Sequence, residues 1–116
     1  MKKDKVKVAY IIGPYRAATI NETRENIRTA ESAAAKLWEM GYAVICPHTN
    51  SAFMDGAIDD EFILDAYIEI LRRCDIAVLL PGWGGSKGSR AEYVLCEAEE
   101  KEVYFFDLEA VVLRKV

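Results

Sequence analysis

The chain has 116 residues, of which 52% are hydrophobic and 29% charged, with a formal net charge of −4. The length suits one globular domain over residues 1–116 and is too short for two, and the balance argues against a disordered chain. The acidic sign excludes a general nucleic-acid binder, and no apolar run approaches the ~20 residues a membrane helix needs.

Lys2, Lys3, Lys5 and Lys7 alternate ahead of the first strand and read as a solubilising edge. No long apolar core or small-residue cleavage site marks a signal peptide there. The three cysteines, Cys46, Cys74 and Cys96, are odd in number, widely spaced and set in apolar segments. They read as buried thiols of a reducing cytoplasm, not as a disulfide or metal framework. A single histidine, His48, builds no His-rich metal site, so neither metal nor cofactor is expected.

Lys5 to Ile12 is β-rich and fully apolar toward its end, as a central parallel strand would be. Gly13-Pro14 stops it. Asn21 to Met40 is predicted as a helix, with Ile27, Ala30, Ala34 and Leu37 on one stripe and Gly41 as its stop. Tyr42 to Cys46 is the second strand, ended by Pro47. His48 to Ile58 reads as a loop. Asp59 or Asp60 caps a second helix running to about Arg73. Its stretch Phe62–Leu71 is apolar almost all round, and one sheet cannot cover every side of it, so a subunit interface is expected there. Asp75 to Leu80 is the third strand, Ser89 to about Lys101 the third helix, and Val103 to Asp107 the fourth strand. Val111 to Val116 adds a short fifth. Alternating strands and helices predict a parallel sheet with right-handed crossovers. Ligands of such sheets bind beyond the carboxyl ends of the strands, where strand order reverses. That rule draws together Gly13 to Arg16, Pro47 to Asn50 with His48 as a candidate contact, and Gly82 to Glu92.

The last of these segments carries most of the chemistry. Four glycines, Gly82, Gly84, Gly85 and Gly88, precede Ser89-Arg90-Ala91-Glu92. Such a loop brings bare amides close to a ligand, and the helix after it turns its positive end to the same place. Ser89 and Glu92 have the spacing of a capping box. Glu92 is equally placed as a nucleophile, kept ionised by the helix end. Ser86 and Ser89 read either as phosphate-binding hydroxyls beside glycine amides or as loop polarity. Arg16 reads as a forked donor to the same anion or as a surface residue. Tyr10 is a core tyrosine or the group that holds the nucleophile. Trp83 stacks on a base or covers the loop from inside.

Together these residues resemble the nucleoside 2-deoxyribosyltransferase superfamily. The nearest branch is that of the small enzymes hydrolysing the N-glycosidic bond of (deoxy)nucleoside 5'-monophosphates. The matching pieces are Tyr10 to Arg16, then Leu37, Gly41 to Val44 and Pro47, then Cys74-Asp75 through Glu92. The resemblance implies a Rossmann-like (flavodoxin-like) three-layer sandwich with a parallel sheet of four to five strands. It implies Glu92 as nucleophile and Tyr10 as the residue positioning it. It implies Ser86 as a 5'-phosphate contact, joined by Arg16 and the amides of Gly13, Gly88 and Ser89. The chain departs from the pattern at Tyr67, where related sequences carry an aspartate thought to help protonate the departing base. Asp65 points elsewhere on the helix, and Asp55, Asp59 and Asp60 are the nearby alternatives. Two other readings stay open. One is a nucleotide-binding or sensor module without catalysis. The other is a phosphoribohydrolase of the cytokinin-activating type, although Pro81-Gly82-Trp83-Gly84-Gly85 departs from its Pro-Gly-Gly-x-Gly-Thr run.

Overall fold

The computed structural model describes residues 5–116, so Lys2 and Lys3 of the expected basic edge lie outside it. In chain order the elements are β1 (Val8–Ile12), α1 (Ile20–Glu39), β2 (Ala43–Ile45), the single turn α2 (Pro47–Asn50) and α3 (Asp60–Arg72). There follow β3 (Ile76–Leu79), a 3-10 turn (Trp83–Gly85), α4 (Lys87–Ala98), β4 (Glu102–Asp107) and β5 (Val112–Lys115). The strands form one sheet in the order β2-β1-β3-β4-β5. β1 pairs in parallel with β2 and β3, and β3 with β4.

The tail differs from the parallel expectation, since β5 runs antiparallel to β4. A parallel return needs a crossover of a dozen or more residues. Only the short turn after Asp107 separates the two strands, so the chain hairpins back. Residues 48–58 are also not all loop. Pro47 takes the first position of α2, where its missing N–H costs nothing.

Alternation along β1 distributes its side chains to two layers. Ala9 and Ile11 pack with Ile76, Val78, Leu80 and Phe106 against the α1 stripe of Ala30, Ala33, Ala34 and Leu37. Thr19 caps α1 by accepting the Glu22 amide, and Gly41 ends it with φ of +98°, a value that suits glycine. Tyr10 and Ile12 face the other way, packing with Ala77, Leu79, Leu71 and Cys96 beneath α3 and α4. The result is a three-layer α/β sandwich, with the three cysteines buried and unpaired. Burying the α1 stripe alone contributes several kcal/mol, at about 25 cal/mol per Å2 of apolar surface.

Asp59 caps α3 by accepting the Phe62 amide at 3.1 Å. The sheet covers only one side of this helix. Leu71 is its fully buried residue, while Phe62 is 64% and Leu64 40% exposed. Among the described residues no helix is long and apolar enough to cross a membrane.

Candidate active site

Strand order reverses between β1 and β3, and a cavity of about 590 Å3 opens at their carboxyl ends. The three expected segments meet in it. Gly13 and Arg16 come from the β1–α1 connection, Pro47 and His48 from α2, and Ser86, Gly88, Ser89 and Glu92 from the start of α4.

The beginning of α4 corrects the expected capping box. The helix starts at Lys87, and Ser86 is its cap, its hydroxyl accepting the Ser89 amide at 3.3 Å. Ser89 therefore sits in the first turn and Glu92 in the second. Glu92 caps nothing, so the structural explanation for its presence disappears. The Ser89 amide is already taken, which leaves the amides of Lys87 and Gly88 as the donors of this helix end without an intrahelical partner. Ser89 is only 2% exposed, and its buried hydroxyl has no hydrogen-bond partner among the described residues. A buried orphan of this kind costs about 1–3 kcal/mol unless a ligand satisfies it.

Glu92 is buried, and the Tyr10 hydroxyl donates to its Oε2. Burial pushes the carboxyl up from 4.5 to about 7, although the bond from Tyr10 pulls the other way. This is opposite to the ionisation expected from the helix end. In the second turn the macrodipole has largely faded, whereas desolvation acts in full. Burial, and then the neighbouring Glu92 charge, raise the Tyr10 hydroxyl far above its ordinary value, so Tyr10 stays the donor. A carboxyl poised near neutrality in a cleft is the kind of group catalytic sites use.

His48 is buried, and its Nε2–H donates to the Gly13 carbonyl at 3.0 Å. Burial lowers its pKa and keeps the ring neutral, so it braces the cavity wall and adds no cation to it. Gly13 is confined by packing: a Cβ there would meet Leu80 at 3.1 Å. Gly85 and Gly88 face open space, so a side chain on either would enter the cavity or its mouth. Gly82 adopts φ of +85°, which turns the chain out of β3.

Two residues expected at the ligand have protein partners in the structure. Arg16 lies at the rim, but its guanidinium is held by Asp55 at 2.9 Å and Asp60 at 2.8 Å. These pairs are exposed and worth little each, yet they occupy the fork expected to reach an anion. Trp83 does not line the cavity. It packs on Tyr93 with ring centroids 4.8 Å apart, the arrangement of the alternative in which it covers the loop from within.

Several lining residues escaped the sequence reading. Tyr15 donates to Asp55 at 2.9 Å and accepts the Phe53 amide at 2.7 Å, tying the loop before α3 to the β1–α1 connection. Burial raises the Asp55 carboxyl, but the bonds from Tyr15 and Arg16 outweigh it and hold the group below its ordinary value. Lys87 adds a cation at the amide end of α4, and Ser51 and Ile63 complete the opposite wall. Only the adjacency of Lys87 to the glycine loop was visible beforehand. Asp65, as expected, is exposed and outside the cavity.

Among curated proteins, none matches this chain. A family model described as a domain of unknown function, DUF4406, matches residues 7–105, a span that holds both Tyr10 and Glu92. With most of its length covered by that model, the chain belongs to the DUF4406 family.

Proposed function

We propose that the protein cleaves the N-glycosidic bond of a (deoxy)nucleoside 5'-monophosphate, with Glu92 attacking the anomeric carbon of the sugar. The observation that carries this reading is the buried Glu92, held by Tyr10 from behind, in the wall of a cavity bounded by the amide end of α4. The phosphate takes the Lys87 and Gly88 amides and the unpartnered Ser89 hydroxyl. The sugar lies over Glu92, and the base extends toward Ile63, Leu64 and Tyr67. The volume of about 590 Å3 lies within the range of small-ligand sites. The base leaves from an oxocarbenium-like transition state as the carboxylate adds, and water or a second base resolves the glycosyl intermediate. This is the chemistry that resemblance to the nucleoside 2-deoxyribosyltransferase superfamily implies.

The test is incubation with each ribo- and deoxyribonucleoside 5'-monophosphate, followed by chromatography for free base. Base release that Glu92→Ala abolishes without unfolding the protein is the expected result. No release, or release retained by Glu92→Ala, refutes the assignment. A second reading, a nucleotide-binding module without catalysis, is favoured by one observation: Arg16 engages both aspartates that line the cavity, Asp55 and Asp60. Thermal stabilisation by a nucleotide without base release would select it.

The same reading includes a homodimer or higher homo-oligomer formed through α3, supported by the exposure of Phe62 and Leu64. Light scattering after size exclusion checks it, and a strict monomer contradicts it. The three unpaired buried cysteines support a reducing, cytoplasmic location.

A further inference from the structure

The proposed cleavage needs a proton for the departing base, and few groups in the cavity can supply one. Asp55 is held below its ordinary value by Tyr15 and Arg16, and Asp60 is ion-paired to Arg16 at 2.8 Å. The His48 N–H is committed to the Gly13 carbonyl, and the Tyr10 hydroxyl to Glu92. Lys87 stands at the anion end. Tyr67 is different. Its hydroxyl oxygen receives the Asn50 Nδ2–H at 2.9 Å and lies 2.8 Å from the Ser51 hydroxyl, either of whose oxygens can donate. With Ser51 as donor, two hydrogen bonds run into the Tyr67 oxygen. Its own proton then has only the Pro47 carbonyl at 3.5 Å. Two incoming donors also stabilise the phenolate left after the proton departs. The ring packs edge-on against Tyr10, centroids 6.5 Å apart, which places it one ring away from the residue that holds Glu92.

We infer that Tyr67 is the general acid of this site, protonating the leaving base, with Asn50 and Ser51 holding its hydroxyl. The inference rests on the proposed glycosidase reading. As the C–N bond breaks, its electron pair goes to the base nitrogen, which takes the Tyr67 proton. Glu92 Oε forms the new bond to the anomeric carbon. In the second half the Tyr67 phenolate takes a proton from water, and the resulting hydroxide attacks the same carbon. The bond to Glu92 breaks, the carboxylate is restored, and Tyr67 is again protonated.

Tyr67→Phe is the test, with two purine nucleoside 5'-monophosphates: the unmodified one and its N7-methylated form. The methylated base is already cationic and departs without a proton. Tyr67→Phe should lower kcat/KM on the unmodified base by about 10²-fold or more and leave the methylated substrate unaffected. Equal losses on both substrates, as a purely structural role would give, or no loss on either, overturn the inference alone. A wild-type protein that releases neither base overturns the proposed function, and this inference with it. Should Tyr67→Phe fail to fold, Asn50→Ala removes one donor to the phenolate and should show the same split at smaller size. Equal losses there refute the role.

Discussion

Replacing Glu92 with Gln should stabilise the folded protein above pH 7 and change little near pH 4.5. The magnitude follows from burial. Glu92 titrates ordinarily at 4.5 but at about 7 in the folded chain. Each unit of such a difference corresponds to about 1.4 kcal/mol, so the gap from 4.5 to about 7 amounts to at most about 3.5 kcal/mol. Between those two values the folded state holds a proton that the unfolded state has already released. Stability therefore falls as pH rises through this window and levels off above about 7. Glutamine cannot titrate, yet its carbonyl still accepts the Tyr10 hydroxyl. Burial lowers the His48 pKa, which costs stability as pH falls, but that contribution is common to both proteins and cancels in the difference. The assay is urea unfolding of wild type and Glu92→Gln at a series of pH values from 4.5 to 8. The difference in unfolding free energy should be near zero at the acid end and widen with pH, most steeply in the middle of the window. A difference that does not change with pH would show that burial leaves the Glu92 pKa unshifted, and would remove the electrostatic case for it.

Three further outcomes are expected. Tyr10→Phe removes a bond that lowers the Glu92 pKa, so the acid limb of the kcat/KM profile for base release should move above pH 7. A hydrogen bond to a charged group is worth about 1.5–3 kcal/mol, or roughly one to two pH units, and an unmoved limb would contradict the pairing. A Cβ at Gly88 meets no neighbouring group within 4 Å, so Gly88→Val is sterically tolerable and projects beside the helix end. Calorimetric titration with a nucleoside monophosphate should show about tenfold weaker binding, a cost of about 1.4 kcal/mol, without a lower melting temperature. Ser86→Ala removes the cap of α4 and should cost about 1 kcal/mol in denaturant unfolding, whereas Ser89→Ala should cost none, because its hydroxyl has no partner to lose.

The comparison of Ser86 with Ser89 shows where local reading stops. Both serines satisfy the preference for a helix cap, and Gly88 is a poor helix former, so propensity alone favours a later start. The helix instead begins at Lys87. That start turns Glu92 from a cap into a group that meets Tyr10 across 82 positions of sequence. The fate of Arg16 has the same origin. Its carboxylate partners, Asp55 and Asp60, lie 39 and 44 positions away, and no local pattern names them. The rim of the cavity, with Tyr15 clamping the loop before α3, was likewise invisible for want of any periodic signal.

Hydrophobic period, caps and glycine stops are short-range properties, each decided within a turn or two of chain. They sufficed for the strand and helix sequence, the α1 stripe and the Asp59 cap of α3, and they pointed to the ends of β1 and β3 as the ligand side. The direction of β5, the face to which Tyr10 turns, the neutrality of His48 and the raised pKa of Glu92 depend instead on what other segments bring alongside. Desolvation and hydrogen bonding act through space over a few ångströms, and only the folded chain sets those distances.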